Sequence, residues 1–376
     1  MRTNQLARLF HGSGPFLSLY LNTRGDVENA ASMVELRWKS THSELLDQGV
    51  PEALLGAIDP LVEGSHTAGA TLAVIGSIDG VLWSGNLPEP PPRDALTRWS
   101  TLPSIVPLLS QLQRLVPHVV VLASRAAAEL EARTPDGAGA EHEAEHEVVE
   151  GERSPRLHRS APGGWSQPRY QHKAEVVWER NAAEFAAALT EVVDQVRPRF
   201  VALAGDVRAV QFLHDKSPKR VQELLEVVGG ELPSIEAVRA EADRLVAATV
   251  ERDTAELLDR FEQERSQHDL AADGIAATFD ALTRAQVDTL LVGDVPADDR
   301  TAWFGGEGEP VALDRDTLTA SGEITPAEGP LVDVAVRGAL LSGAGVRLLD
   351  PADPDGPPDQ RRPSEELGAL LRFRLE

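Results

Sequence analysis

Hydrophobic positions along this chain alternate between two patterns. Short apolar runs, Phe16-Leu17-Ser18-Leu19-Tyr20-Leu21, Val119-Val120-Val121-Leu122, Phe200-Val201-Ala202-Leu203-Ala204-Gly205, Thr289-Leu290-Leu291-Val292 and Val346-Arg347-Leu348-Leu349, have the length and composition of buried strands. Between them lie longer stretches with apolar residues at helical spacing. Phe185, Leu189, Val192 and Val196 mark one face of a helix over about 170–196, and Val246, Val250, Leu257 and Phe261 mark a stripe along a helix over about 235–268. Further helices are predicted at 27–47, 219–228, 271–285 and 331–341, and a last strand at 370–374. The runs 70–75 and 81–84 flank Asp79-Gly80, a dipeptide that supplies positive φ, so a hairpin is expected there. Pro88–Pro92 interrupts regular structure, and 350–363 reads as a polar, Pro-rich surface loop.

Strands alternating with helices predict an α/β fold. The Pro/Asp/Gly/Ala stretch Thr134–Ala140 is the first expected boundary, giving three α/β domains in series over 1–133, 134–270 and 271–376, with Val119–Leu122 closing the first. No fixed-period repeat is evident, which argues against a solenoid.

Composition narrows the chemistry. At 376 residues and 42% hydrophobic, each domain has enough apolar side chain for a core. The absence of Cys removes disulfides, thiol nucleophiles and Cys-based zinc sites. The first fourteen residues lack the apolar core of a secretory signal, and no run approaches the roughly 18 apolar residues of a membrane helix, so a cytoplasmic location without membrane contact is expected. The net charge of −24 argues against a general polyanion binder. Its distribution changes that picture. Glu129–Glu152 holds nine acidic residues and one Arg, whereas Arg153, Arg156, Arg159, Arg169 and Lys173 follow with no acid among them.

His142-Glu143-Ala144-Glu145-His146 matches the H-E-x-x-H pattern, in which two His one helical turn apart bind zinc and the Glu acts as general base. The surroundings oppose it: Gly137-Ala138-Gly139 breaks helices, and the acidic run offers no apolar face to dock. A solvated linker or strand edge is the expected reading, with no metal and no cofactor. Phosphate-binding and nucleophile-elbow motifs are absent, and His11, His118 and His214 read as structural.

The segment Ser160–Tyr170 carries the remaining candidate chemistry. Gly163-Gly164 lets the backbone adopt positive φ and approach another backbone closely, Arg169 and Lys173 suit phosphates, and Trp165 and Tyr170 can stack on bases. The combination fits an RNA-facing loop, or a surface loop whose Trp packs on its own domain.

Here the chain resembles archaeal and eukaryotic class-1 release factors. Their middle domain carries a Gly-Gly-Gln loop followed by a basic helix, and this sequence has Gly163-Gly164-Trp165-Ser166-Gln167 followed by Arg169-Tyr170-Gln171-His172-Lys173. Residues 199–206 look like that family's middle-domain strand, and 285–292 like the start of its third domain. The run 15–22 with Glu35-Leu36-Arg37-Trp38 is similar to the bacterial branch, which includes the Balon-type ribosome hibernation factors. The resemblance implies a release-factor/Pelota-like architecture, with an N-terminal domain toward the decoding side and a middle domain toward the peptidyl-transferase side. It also implies a third domain that meets a translational GTPase, such as elongation factor Tu, or the ribosomal stalk region. One departure matters: Trp165 occupies the aligned position of the catalytic Gln, and Gln167 comes two residues later, before Pro168. What the resemblance implies is therefore a non-catalytic factor in the vacant ribosomal A site. Arg153, Arg156, Arg159, Arg169 and Lys173 would meet rRNA phosphates, and Gly163, Gly164 and Trp165 would form the tip, with Gln167 and Tyr170 beside it. Peptide release through Gln167, the zinc protease and an interaction protein unrelated to ribosomes are the competing classes.

Overall fold

The computed structural model describes residues 3–12, 14–24, 29–63, 65–67, 69–124, 127–135, 142–150, 167–229, 234–293, 300–306, 311–320, 325–351 and 359–373, and only the backbone of 142–150 and 167–179. Residues through Gln113 and those from Glu251 onward make one compact unit, and Arg114–Pro135 with His142–Val250 make a second.

In the first unit, α1 (Thr3–Ala7) precedes β1 (Phe16–Asn22), α2 (Ala30–Asp47), α3 (Glu52–Val62), β2 (Thr71–Ser77), β3 (Gly80–Leu87), β4 (Ala95–Ser100) and α4 (Val106–Leu112). The strands form an antiparallel sheet in the order β3-β2-β1-β4. The hairpin expected at Asp79-Gly80 is present, with Ser77 opposite Gly80 and Gly80 at φ 127. Period-two geometry explains why β1 reads as a continuous apolar run: it is covered on both faces. Leu17, Leu19 and Leu21 join the core beneath α2 and α3, with Val34, Leu45, Leu55 and Ile58. The alternate residues turn the other way, where the Tyr20 hydroxyl donates to the Ser104 carbonyl at 2.8 Å and Ser18 Oγ accepts from the Ser104 amide at 2.8 Å.

The second unit contributes β5 (His118–Ala123), β6 (Ala127–Pro135), β7 (His142–Glu150), α5 (Gln167–Val196), β8 (Phe200–Gly205), α6 (Val207–Lys216), α7 (Lys219–Gln222), β9 (Leu225–Val227) and α8 (Ile235–Gln267), whose second half belongs to the first unit. The sheet order is β7-β6-β5-β8-β9, with β5, β8 and β9 parallel. One face packs Val119, Val121, Leu130, Val201 and Leu203 under α5, α6 and α7. The other packs Val120, Ala202 and Ala204 under Ile235, Val238 and Ala242 of α8.

Several expectations change here. Val119–Leu122 does not close the first domain but lies at the centre of the second sheet, and the boundary expected after residue 133 falls inside β6. Pairing with β5 holds Ala127–Pro135 extended despite weak strand propensity, because β-structure follows burial and cross-strand contact more than composition. The helix expected over 219–228 is a single turn, after which Leu225–Val227 joins the edge of β8.

In the first unit's C-terminal part, β10 (Ala271–Asp273), α9 (Ile275–Thr283) and β11 (Val287–Val292) are followed by β12 (Thr301–Phe304), β13 (Val311–Ala312) and α10 (Arg315–Ala320). Next come β14 (Ala327–Pro330), α11 (Leu331–Leu341), β15 (Gly345–Leu348) and β16 (Leu367–Leu371). Two sheets result, β10-β16-β11-β15 and β13-β12-β14. The helix expected over 271–285 is thus shortened by strand β10, which pairs with β16, and the last strand ends three residues before its expected limit. Phe261 of α8 packs fully buried against Leu291 and Leu370.

Residues 98–113 tie directly into this C-terminal part. Arg98 pairs with Asp333 at 3.0 Å, and Thr101 Oγ1 donates to the Glu328 carbonyl at 2.7 Å. The Gln113 carboxamide donates to the Leu348 carbonyl at 2.8 Å and accepts from the Leu348 amide at 3.0 Å, as a neighbouring strand would. Burial pushes the Asp333 carboxyl up to about 6, against the opposing pull of Arg98 and Ser104.

Candidate nucleic-acid interface

The expected RNA-facing segment divides at residue 167. Arg153, Arg156, Arg159, Gly163, Gly164 and Trp165 lie outside the described residues. Gln167, Arg169, Tyr170 and Lys173 fall on the first turns of α5. That helix begins where Pro168 is tolerated, since a proline in the first turn lacks only an amide that has no intrahelical partner. It runs without Gly or Pro to Val196 and stops where Arg197 takes φ 51 and Pro198 follows.

Helical register organises the basic residues. Ala182, Phe185, Ala186, Leu189 and Val193 are buried on the sheet. Arg169, Lys173 and Arg180, spaced by four and seven residues, share one stripe on the opposite side of the helix, and Arg180 is exposed. Sequence reading did not single out Arg180, although its spacing from Lys173 carried the signal. Gln167 and Tyr170, three residues apart, share a flank of the first turn. At about 1.5 Å per residue the thirty-residue α5 is about 45 Å long, whereas six-residue β8 covers about 20 Å.

The sheet beneath α5 is anchored by an ion cluster that sequence reading also missed. Glu131 on β6 is buried and accepts from Arg133 at 2.7 Å and from Arg239 of α8 at 2.6 Å. Burial alone would raise the Glu131 carboxyl, but the two guanidiniums outweigh it and hold it below the usual carboxylate range. His118 is structural as expected: it stacks on Phe200 at 5.2 Å, its Nδ1 lies 2.7 Å from the Val116 carbonyl, and burial lowers its pKa. His214 is exposed beside Asp215 at 3.2 Å.

The H-E-x-x-H match does not form a zinc site. His142 opens β7 and His146 lies four residues along the same strand, opposite Glu131. Four residues of strand separate two Cα atoms by about 13 Å, whereas zinc chemistry of this type needs two His one helical turn apart, each about 2 Å from the metal. The segment is a strand edge bearing many carboxylates, a device that discourages edge-to-edge pairing. Among the described residues, no group of three or more His, Asp or Glu is placed to hold a metal.

Residues 117–267 match the model of bacterial archaeo-eukaryotic release factor family 2. Two Mycobacterium tuberculosis proteins, the uncharacterized proteins Rv2629 and MT2704, are each 27% identical over 381 residues, which covers 99% of this chain and 97% of theirs. Among solved structures, the archaeal translation termination factor aRF1 is similar at 16% identity and a TM-score of 0.27 over 99% of both chains. A ribosome-bound archaeal Pelota is similar at 14% identity and a TM-score of 0.40 over 100% of this chain and 94% of that one.

Proposed function

We propose, from the premise that the middle segment of this chain belongs to bacterial archaeo-eukaryotic release factor family 2, that the protein binds the vacant A site of idle or stressed ribosomes and performs no hydrolysis there. The observation that carries this reading is the cationic stripe of α5 following, in the sequence, the Gly163-Gly164-Trp165 run of an otherwise acidic chain. Arg169 and Lys173 on one helix face, with Arg153, Arg156 and Arg159 before them, supply cations for rRNA phosphates through counterion release. Gly163 and Gly164 allow close approach of the backbone, while Trp165 and Tyr170 supply stacking surfaces. A family catalytic amide would both donate and accept hydrogen bonds to place water beside the peptidyl ester. Trp165 in that position has one N–H donor and no acceptor, so it cannot orient water in the same way. The C-terminal part of the first unit is the proposed contact for a translational GTPase.

The competing reading is peptide release through Gln167, which the backbone places at the first residue of α5. The two separate cleanly. On the binding reading, Trp165→Ala weakens association with vacant ribosomes by about 1–3 kcal/mol, the usual cost of removing one stacking aromatic. The wild-type protein then releases no peptide from ribosomal peptidyl-tRNA. On the hydrolytic reading, Gln167→Ala abolishes release while leaving association nearly intact, because an interaction made only in the transition state changes rate and not ground-state affinity. Release by the wild type that disappears in Gln167→Ala overturns the non-hydrolytic assignment.

A further inference from the structure

Helices α8 and α9 end alike, and their ends share one cavity. At the close of α8, His268 takes φ 55, its amide donating to the Arg265 carbonyl and the Asp269 amide to the Glu264 carbonyl, both at 3.1 Å. At the close of α9, Ala285 takes φ 52, its amide donating to the Leu282 carbonyl and the Gln286 amide to the Ala281 carbonyl, both at 3.0 Å. Each is the left-handed stop that usually falls to glycine, and each brings the next residue, Asp269 or Gln286, to the wall of a cavity of about 620 Å³. The apolar part of that wall is Ala271, Ala272, Ala277, Ala281 and Leu371.

Two groups on the wall keep unused acceptor capacity. Gln286 is only 5% exposed, and its Nε2 donates to the Phe373 carbonyl at 3.3 Å. That contact fixes the amide, since the reverse orientation would set oxygen against oxygen. Gln286 Oε1 then accepts no hydrogen bond among the described residues and keeps its contact with solvent through the cavity. Asp269 is exposed, with neither an ion pair nor a side-chain hydrogen bond among the described residues. The guanidiniums on the wall are already committed: Arg284 pairs with Asp280 at 2.9 Å, and Arg265 with Glu262 and, at 3.5 Å, with Asp273. Carboxylates outnumber guanidiniums there by three to two, and two helix dipoles bring their negative ends to the same place.

An acceptor-rich wall beside an apolar one suits a cation on a hydrocarbon stem. A metal ion does not fit, because among the described residues no three His, Asp or Glu side chains converge to hold one. A guanidinium prefers to lay its planar fork on one carboxylate, whereas a carboxylate and a separate amide oxygen suit the compact charge and rotatable donors of an ammonium. We infer that this cavity binds a primary ammonium on an aliphatic chain, held by Asp269 and Gln286 Oε1 with its methylenes against the alanines. Two sources carry that chemistry, a free aliphatic diamine and a lysine side chain of a partner protein. The inference is independent of ribosome binding.

Calorimetric titration of the full chain at 0.15 M salt tests it, with 1,4-diaminobutane and Nα-acetyl-lysine methylamide as the two probes. One saturable site is expected for at least one probe. Asp269→Asn removes the charged acceptor and should weaken that site about tenfold or more. Ala277→Leu, an exposed change that fills the cavity, should weaken it similarly, while Asp47→Asn at the exposed end of α2 should bind as wild type. Thermal unfolding of Asp269→Asn should match wild type, so this variant decides the matter even if Ala277→Leu unfolds early. Tighter binding of the diamine identifies a free amine as the ligand, and tighter binding of the lysine probe identifies a partner's lysine. No saturable site with either probe, or a site that survives Asp269→Asn, overturns the inference. Equal weakening in Asp47→Asn also overturns it, because that marks diffuse attraction to a chain of net charge −24.

Discussion

Gly205→Ala is expected to destabilise the middle unit by about 3–5 kcal/mol, the range reached when a side chain is forced into backbone at a special conformation. Gly205 ends β8 at φ 136, and a Cβ there would lie 1.9 Å from the Ala123 carbonyl oxygen. That oxygen cannot retreat cheaply, because it accepts the Asp206 amide at 3.0 Å where β5 and β8 finish together. Asp206 in turn caps α6, its carboxylate accepting the amides of Arg208 at 3.1 Å and Ala209 at 3.2 Å. Relieving the clash would separate the strand ends and misplace the cap. Urea unfolding followed by hydrogen exchange should show the loss concentrated in β5, β8 and α6. A loss below about 1 kcal/mol would show that the turn relaxes without cost and that this account of it is mistaken.

The contact between β4 and α11 should respond in opposite directions to its two partners. Arg98→Ala leaves the buried Asp333 carboxylate without its half-exposed cation and is expected to cost about 1–2 kcal/mol at pH 7.5, less than a fully buried pair because solvent screens the guanidinium and the carboxyl can take up a proton instead. Asp333→Asn keeps the shape and a hydrogen bond to Ser104 while removing the buried charge, so it should be neutral or stabilising at that pH. The pH dependence follows from the sign of the shift. The folded-state pKa of about 6 lies above the ordinary aspartate value of 3.8, so between those values the folded chain holds a proton that the unfolded chain has released. Stability contributed by this group is therefore greatest in acid and falls as pH rises from about 4 to about 6, by at most about 3 kcal/mol. Thermal unfolding of wild type and Asp333→Asn across pH 4–7.5 measures the difference. Parallel profiles would mean that Asp333 titrates normally and that the burial argument fails.

Strong periodicity made some elements legible in advance, and tertiary pairing hid the rest. β1, β8 and β11 are apolar runs covered on both faces, so their composition alone reveals them, and the stripe 246–261 revealed α8. The helix bearing the candidate site was also readable, since Phe185 and Leu189 are buried as spaced, although the stripe passes through Val193 and leaves Val192 partly buried. β6 was not readable, and β7 only as one of two alternatives, a linker or a strand edge. Glu129, Glu131 and Arg133 look like solvated charge, yet Glu131 is buried, because Arg239 arrives from α8, more than a hundred residues away. The same blindness misplaced the first boundary, since nothing local marks β5 as the partner of β8 and not of β1. α6 was missed as well: its buried face is only Ala209 and Leu213, too short a stripe to register.

The central claim is that this acidic chain binds ribosomes through a cationic part of its middle unit without cleaving peptidyl-tRNA. Sedimentation of the purified protein with vacant ribosomes through a low-salt sucrose gradient, repeated at 0.5 M salt, tests it most directly. The account predicts that the protein travels with the ribosomal peak at low salt and returns to the top at high salt, because a few Lys and Arg contacts must compete with counterions for rRNA phosphates. Protein that stays at the top of the low-salt gradient with vacant ribosomes in excess would contradict it.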